Sequence, residues 1–512
     1  MQAPPPEPNH PPGPTGTGPG SPLLPDTEHV ADPLAAVEEA TPAPPVRRGA
    51  RDLTRGSIPR HLLLFSLPML AGSLLHMSYS IVNAIWVGRF LGKASLAAVT
   101  VGFPILFLLM AIANGFSMGA NILVSQYTGA QDWSGVRRVV QSGYLMIAAL
   151  CLVLLATGEV IIGPLLQLVG TPPEVLPLAA PYMRLMLLTL PPMFLISLTG
   201  ALLRGVGDST TPLYFQTGGL LLTAVLDPLL MFGWLGAPRL GLVGTAVAAL
   251  VTQVLALIAL LFHLERRGHM VAPDLRTLAL HRPTVAHIAR IGFPSVLQQG
   301  LVSLGILFVV GLVNQFGEDA TAALGAAGRI DQIASLPAMT FGMAVSTMAG
   351  QNIGAGSYDR VRKVFWWGIL ISGGVTLLLS AMVMALPELL LSLFINRSVD
   401  PQVMAMGASY LRIVVGSFVF FAVMFVSNGI INGAGQTLVT TGFTVIAMWL
   451  VRIPLAWWLS QRVLHRVEGV WIAMAVGFFV AMVVSVSYFL SGRWRGGAMG
   501  GAAARQREPG GA

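Results

Sequence analysis

Residues 326–356 read AAGRIDQIASLPAMTFGMAVSTMAGQNIGAG, and residues 101–131 read VGFPILFLLMAIANGFSMGANILVSQYTGAQ. Both stretches are apolar, rich in small residues and long enough to cross a bilayer. Each reaches a glutamine near its end (Gln126, Gln351) and then a Gly-Ala pair. The chain thus says one thing twice, about 226 positions apart, and the second copy adds Arg329 and Asp331.

Working outward, matches persist at a nearly constant offset. Pro68 pairs with Pro294, Gly102 with Gly328 and Pro228 with Pro454 at 226. Gln126, Gly129 and Arg137 pair with Gln351, Gly354 and Arg362 at 225. Tyr182, Arg184 and Gly241 pair with Tyr410, Arg412 and Gly469 at 228. Residues 204–207, RGVG, face NGAG at 432–435. A drift of about three positions over the whole unit marks an internal duplication.

The composition names the surroundings. Of 512 residues, 54% are hydrophobic and 10% charged, against roughly 25% charged in a soluble domain. Such a chain cannot cover a water-facing surface, so it reads as an all-α membrane protein. Twelve spans are expected, at about 61–90, 96–128, 138–168, 177–205, 210–233, 242–264, 286–316, 320–353, 361–394, 402–434, 437–460 and 468–491. Six per repeat return the chain to the same side. The two six-helix lobes should then be related by a pseudo-twofold axis along the membrane normal.

The expected domains follow. Residues 1–56 read as a disordered, Pro-rich tail with a basic collar, 57–264 as the N-lobe and 265–285 as the linker between lobes. Residues 286–494 read as the C-lobe and 495–512 as a second disordered tail. The formal net charge of +8 points to orientation rather than to nucleic acid. With the N-terminus inside, the inner segments hold 20 of the 30 Lys and Arg and the outer ones 6. Both termini are therefore expected in the cytoplasm. Cys151, the only cysteine, rules out an intrachain disulfide. There is no P-loop, HExxH or Ser/His/Asp motif to suggest ATP drive or an enzyme, and no cofactor is expected.

Charge at bilayer depth is expensive and marks function by default. Asp331 lies about eleven residues into its span, roughly 16 Å deep at 1.5 Å per residue. Arg329, two positions away, points to another face. Asp227 lies near the outer end of span five, with Thr223 one turn before it on the same face. Asn83 on span one and Thr245 on span six lie at compatible depths. Gln298 and Gln299 on span seven offer amides either to a cavity or to a neighbouring helix. Tyr79 suits an amphiphile-binding cavity. The duplicated Arg184 and Arg412 read as structural pairing or snorkelling, and Glu159 and Glu388, toward outer span ends, read as reaching water.

The segment ends TGAQ and QNIGAG, the turn LLRGVGDST at 202–210, VLDPLLMFG at 225–233 and RIPLA at 452–456 together resemble the prokaryotic branch of the multidrug and toxic compound extrusion (MATE) family. The resemblance covers about 57–491. It implies an antiporter in the bacterial inner or plasma membrane, acting as a monomer, that expels amphiphilic, often cationic drugs in exchange for H⁺ or Na⁺. In such relatives a cation site uses carboxylates on spans one and five, an amide and a hydroxyl. Carried over, these fall on Asn83, Asp227, Thr223 and Thr245, so two of the four positions depart from the pattern. On this reading Asp227 and Asp331 would each be protonated or ion-bound in one state, with Asp227 the Na⁺ ligand if Na⁺ is the ion, and Arg329, Gln298, Gln299 and Tyr79 would line the substrate cavity. The carboxylate that another branch carries on span seven is Val302 here. A lipid-linked oligosaccharide flippase of the same superfamily is the alternative. A major-facilitator transporter also has twelve spans, but its charged loop after span two is replaced by TGAQDWSGVRR.

The charge count predicts that green fluorescent protein fused to the C-terminus fluoresces, whereas alkaline phosphatase fused there stays inactive. The opposite pattern would invert the topology.

Overall fold

The computed structural model describes residues 49–90, 92–168, 171–236, 238–274, 279–394 and 400–496. The expected tails before residue 49 and after 496, and linker residues 275–278, lie outside them. Among the described residues every regular element is helical. The N-lobe holds α1 (Ile58–Phe90), α2 (Gly92–Gly129), α3 (Trp133–Leu168), α4 (Leu176–Leu188), α5 (Leu190–Gly205), α6 (Thr210–Phe232) and α7 (Leu242–Arg266). The C-lobe holds α8 (Arg282–Asn314), α9 (Glu318–Gly354), α10 (Tyr358–Ala385), α11 (Pro387–Leu391), α12 (Pro401–Val414), α13 (Phe418–Gly433), α14 (Thr437–Thr444), α15 (Ile453–Trp458) and α16 (Glu468–Leu490). Eleven helices are long and apolar enough to span a membrane, and α4 with α5 makes a twelfth broken span bent by 42°.

That break is built locally, and the interruption of the helix, without a bend beyond 40°, recurs in the C-lobe. Thr189 ends α4, and its hydroxyl donates to Met186 O at 2.6 Å. Pro191 and Pro192 follow in the first turn of α5, where no N–H is needed. Its C-lobe counterpart is a short 3₁₀ turn, Val415–Ser417, between α12 and α13, where the Ser417 hydroxyl donates to Val414 O at 2.6 Å. Two spans depart from the expected outline. The ninth ends at Ala385, and a separate short helix, α11, starts on Pro387. The eleventh is divided by two π-helical stretches, Val445–Arg452 and Leu459–Val463.

Both ends of the described chain lie on one face, termed here the terminal face. Leu53, Ile58, Leu62 and Phe65 before and within α1 are buried with C-lobe residues Phe341, Val345, Phe365, Ile430 and Trp494. Reciprocally, Ile288 and Ile291 at the start of α8 are buried in the N-lobe core with Val136, Val140 and Leu198. Ile288 and Ile291 are the repeat partners of Leu62 and Phe65. The starts of the first and seventh spans therefore cross into the opposite lobe.

At the same face the ends of α2 and α9 meet backbone to backbone. A Cβ added at Gly129 would stand on Gln351 O, and one at Gly354 on Gln126 O. Gln126 Nε2 donates to Gly433 O of the C-lobe at 2.8 Å, and Gln351 Nε2 donates to Gly205 O of the N-lobe at 3.0 Å. The two bonds are images of one another under the repeat. Just beyond α2, partial burial works against the Asp132 carboxylate. Donors from Ser134 and the Gly135 amide, with Arg138 3.4 Å away, hold it below the usual carboxylate range.

One feature at this face lies outside the helices. Residues 49–57, which the sequence reads as the end of a tail, form a strap bound to both lobes. The Arg51 amide donates to Val206 O at 2.8 Å, and the Leu53 amide donates to Gln351 Oε1 at 3.0 Å. Arg360 Nη2 donates to Arg55 O at 3.0 Å and Gly56 O at 2.8 Å. Gln351 is thereby satisfied on both ends of its amide. Its partner Gln126 keeps a buried Oε1 with no hydrogen-bond donor.

Gly129→Ala and Gly354→Ala should each destabilise the folded protein by about 1–3 kcal/mol, since backbone must shift. The measurement is thermal unfolding of the detergent-solubilised protein. Gly300→Ala, where an added Cβ meets nothing within 4 Å, is the matched control and should be nearly neutral.

Candidate cation site

Asp227 is on α6, one residue before Pro228, and is 7% exposed. A carboxylate so placed needs donors or a counter-ion. One donor is aromatic: Tyr79 Oη of α1 donates to Asp227 Oδ2 at 2.6 Å. Asn83, one turn further along α1, donates from Nδ2 to Tyr79 Oη at 3.1 Å. The other carboxylate oxygen, Oδ1, is buried and has no hydrogen-bond partner. Tyr182 on α4 stands within electrostatic reach of the same carboxylate. The arrangement is a buried acid with one oxygen held by a phenol and the other free to accept a cation. Nearer the opposite face, Trp86, Phe90, Phe232 and Trp234 pack ring against ring at centroid distances of 5.3 to 6.5 Å. They form an aromatic cap about one to two turns beyond Asp227 on α1 and α6.

Three of the expected residues thus come together: Asp227, Asn83 and Tyr79, the last reading from sequence as part of a drug cavity. Both threonines bond a carbonyl of their own helix, and Thr223 also reaches α7. The Thr223 hydroxyl lies 2.8 Å from Gly219 O and 3.0 Å from Thr252 Oγ1 on α7. The Thr245 hydroxyl donates to Leu242 O at 2.8 Å. Among the described residues no cluster of three or more His, Cys, Asp and Glu could hold a metal ion. A metal ion bound at Asp227 would therefore rely on one carboxylate and neutral oxygens.

In the C-lobe, Asp331 is partly buried on α9 and accepts a hydrogen bond from Tyr410 Oη of α12 at 2.9 Å. Tyr410 packs edge-on against buried Trp471 with centroids 4.9 Å apart. Arg452, at the end of the first π-helical stretch, stands within electrostatic reach of Asp331 and Tyr410. Sequence reasoning passed over Arg452 as part of a motif, although its place two residues before Pro454 was open to view. Arg329, on a different face as expected, is exposed, with its guanidinium 6.0 Å from the Phe394 ring centroid. Gln298 Nε2 is 2.9 Å from Thr444 Oγ1 and 3.3 Å from Thr440 O, which ties α8 to α14. Gln299 is exposed.

The duplicated arginines each pair with a glutamate. Arg184 Nε lies 3.1 Å from Glu159 Oε1, and Arg412 Nη2 lies 2.7 Å from Glu388 Oε1.

The MatE family model matches residues 68–229 and 294–458, one match in each lobe. The probable multidrug resistance protein YoeA of Bacillus subtilis (strain 168) is 30% identical over 442 residues, covering 85% of this chain and 94% of that protein. The FAD transporter of Shewanella oneidensis is 26% identical, covering 79% of this chain and 88% of its own length. Among solved structures, an outward-facing multidrug resistance MATE family transporter of the MOP superfamily is 25% identical. It covers 88% of this chain and 98% of that one, with a TM-score of 0.81.

Both arginine–glutamate pairs are more than a third exposed on each side. Arg184→Gln and Arg412→Gln should therefore each cost no more than about 1 kcal/mol in thermal unfolding.

Proposed function

The chain belongs to the MatE family, and on that premise we propose that it is a secondary active exporter of amphiphilic, often cationic small molecules. Entry of H⁺ or Na⁺ drives it through alternating access. The observation that carries this reading is the Asp227 cluster: a buried carboxylate between α1 and α6, with one oxygen fixed by Tyr79 and the other unpartnered. A buried carboxylate binds a proton or a monovalent cation at low cost when bulk water delivers one. It resists standing empty when the lobes close around it.

The rest of the reading follows from the charge distribution. The excess of Lys and Arg assigns the terminal face to the cytoplasm of a bacterial plasma or inner membrane. The crossing of α2 and α9 then seals the cytoplasmic side, and this conformation is the one closed to the cell interior. Loading of Asp227 would favour separation of the α2 and α9 ends, and binding of the exported molecule after the cation has left to the cytoplasm would favour their return. Asn83 and Tyr79 orient the carboxylate; Thr223 and Thr245 stiffen the helices behind it. The chain acts as a monomer, because both lobes of the transport unit are present in it. The lipid-linked flippase reading draws no support from the relatives described above.

Transport of ethidium into everted membrane vesicles, driven in turn by an imposed pH gradient and an imposed Na⁺ gradient, tests the proposal. The wild-type protein should respond to one of the two. Asp227→Asn, which keeps an acceptor for Tyr79, should retain its melting temperature and lose more than about tenfold in rate. Undiminished transport by Asp227→Asn at normal expression would overturn the carboxylate mechanism.

A further inference from the structure

The strap joins two cores over a very short length of chain. Ala50 packs half-buried on the N-lobe core. Leu53, three residues on, is 2% exposed among the C-lobe residues Phe341, Phe365 and Trp494. The Arg51 amide donates to Val206 O of the N-lobe, and the Leu53 amide to Gln351 Oε1 of the C-lobe. Two residues reach at most about 7 Å when fully extended. A hydrogen bond is lost once its atoms part by about 1 Å more than their usual separation. The strap therefore has no slack, and the lobes cannot part at this face while it holds both.

Its two ends are anchored unequally. On the C-lobe side, Asn352 Nδ2 lies 3.4 Å from Leu53 O, and Arg360 Nη2 donates to Arg55 O and Gly56 O. The Leu53 side chain adds apolar burial, which Ile58 and Leu62 continue into α1. On the N-lobe side there is one backbone hydrogen bond and a close fit. Gly207, at φ +93°, admits the Arg51 carbonyl, since a Cβ there would stand 2.6 Å from Arg51 O. Gly49, at φ +95°, lies against His269, and a Cβ there would stand on the imidazole ring. His269 is 8% exposed, and its Nδ1 accepts from the Val271 amide at 3.2 Å, which fixes the ring as a wall.

We propose that Val206, Gly207 and His269 form a releasable seat for residues 49–51. The seat empties each time the cytoplasmic side opens, while residues 53–56 stay on the C-lobe. Its ligand is the chain's own extended backbone, recognised by one carbonyl, one glycine notch and one imidazole wall. When the lobes part, Gln351 loses Gly205 O but keeps the Leu53 amide. One end of that buried amide thus stays satisfied in both conformations. A filled seat holds the join of α2 and α9 shut, so the ease of emptying it sets how often the cytoplasmic side opens. The inference rests on the exporter reading above and adds to it a latch that is distinct from the cation site.

Two measurements test it, both on purified protein in lipid nanodiscs and neither dependent on transport. The first follows maleimide labelling of Ser125→Cys in a Cys151→Ala background. Ser125 is 0% exposed and faces Gly350 across the join of α2 and α9, so a thiol there reacts only when the lobes part. Gly49→Ala, which forces residue 49 off the His269 ring, should raise the labelling rate roughly three- to tenfold, the worth of about one hydrogen bond. Deletion of residues 2–51, which leaves Leu53 in place, should do the same. Arg360→Gln, which loosens the end that stays, should label at the parent rate. The second is residue-resolved hydrogen exchange of the wild-type protein. Relative to their unprotected rates, the Arg51 amide should exchange faster than the Leu53 amide. Parent-rate labelling in both seat variants, labelling of Arg360→Gln as fast as theirs, or a Leu53 amide no better protected than that of Arg51 would overturn the releasable seat. If wild type moves no ethidium under either gradient, the exporter reading fails, while labelling and exchange still report on the seat.

Discussion

Everything in the molecule is arranged around one close approach, the crossing of α2 and α9 at the terminal face. Two helices can come together backbone to backbone only where neither has a side chain in the way. Gly129 and Gly354 meet that condition for each other. The two glutamines then reach across the join to carbonyls left free at helix ends, Gly433 O and Gly205 O. Such carbonyls lack an intrahelical partner, and in an apolar medium each unmet one costs several kcal/mol. The same bonds therefore complete the helices of one lobe and fasten it to the other. The crossover of α1 and α8 adds apolar burial to this polar join.

Against that shared frame the two lobes differ in charge. The frame demands small residues at the crossing, a break in the fourth and tenth spans, and a tyrosine on the first helical segment of each broken span. It says nothing about where an acid must sit. One lobe carries its acid on α6 with a phenol from α1. The other carries it on α9 with a phenol from α12 and a guanidinium nearby. A duplicated scaffold can in this way hold two unlike electrostatic environments without altering the packing that relates them.

Much of this was legible in the residues. Low charge content and repeated apolar runs announce the helices, and the steady offset announces the lobes, because both depend on periodicity and composition. Asp227 and Asn83 stand out because charge and amide at bilayer depth are costly. Other features depend on direction, which a linear string does not encode. Nothing in the sequence says that the Tyr79 ring turns toward Asp227 instead of toward a cavity, or that Thr223 and Thr245 turn back on their own helices. The stop at Ala385 had its signal in Pro387, but the apolar residues before it and from Leu389 onward carry the expected span past it. The strap was hidden because a few arginines and small residues look like a solvated tail until a glutamine amide and Arg360 are seen to bind their backbone.

The reciprocal notches at Gly129 and Gly354 carry a consequence for how such a gene can drift. After a duplication the two halves of a coding sequence ordinarily accumulate changes independently. Here a mutation in one half is judged by a carbonyl that belongs to the other, and no compensating change within the same half can make room. The charged positions face no such cross-examination. The halves are thus free to part company in chemistry while remaining bound to one ancestry at the join, and the record of their common origin should persist longest where they touch.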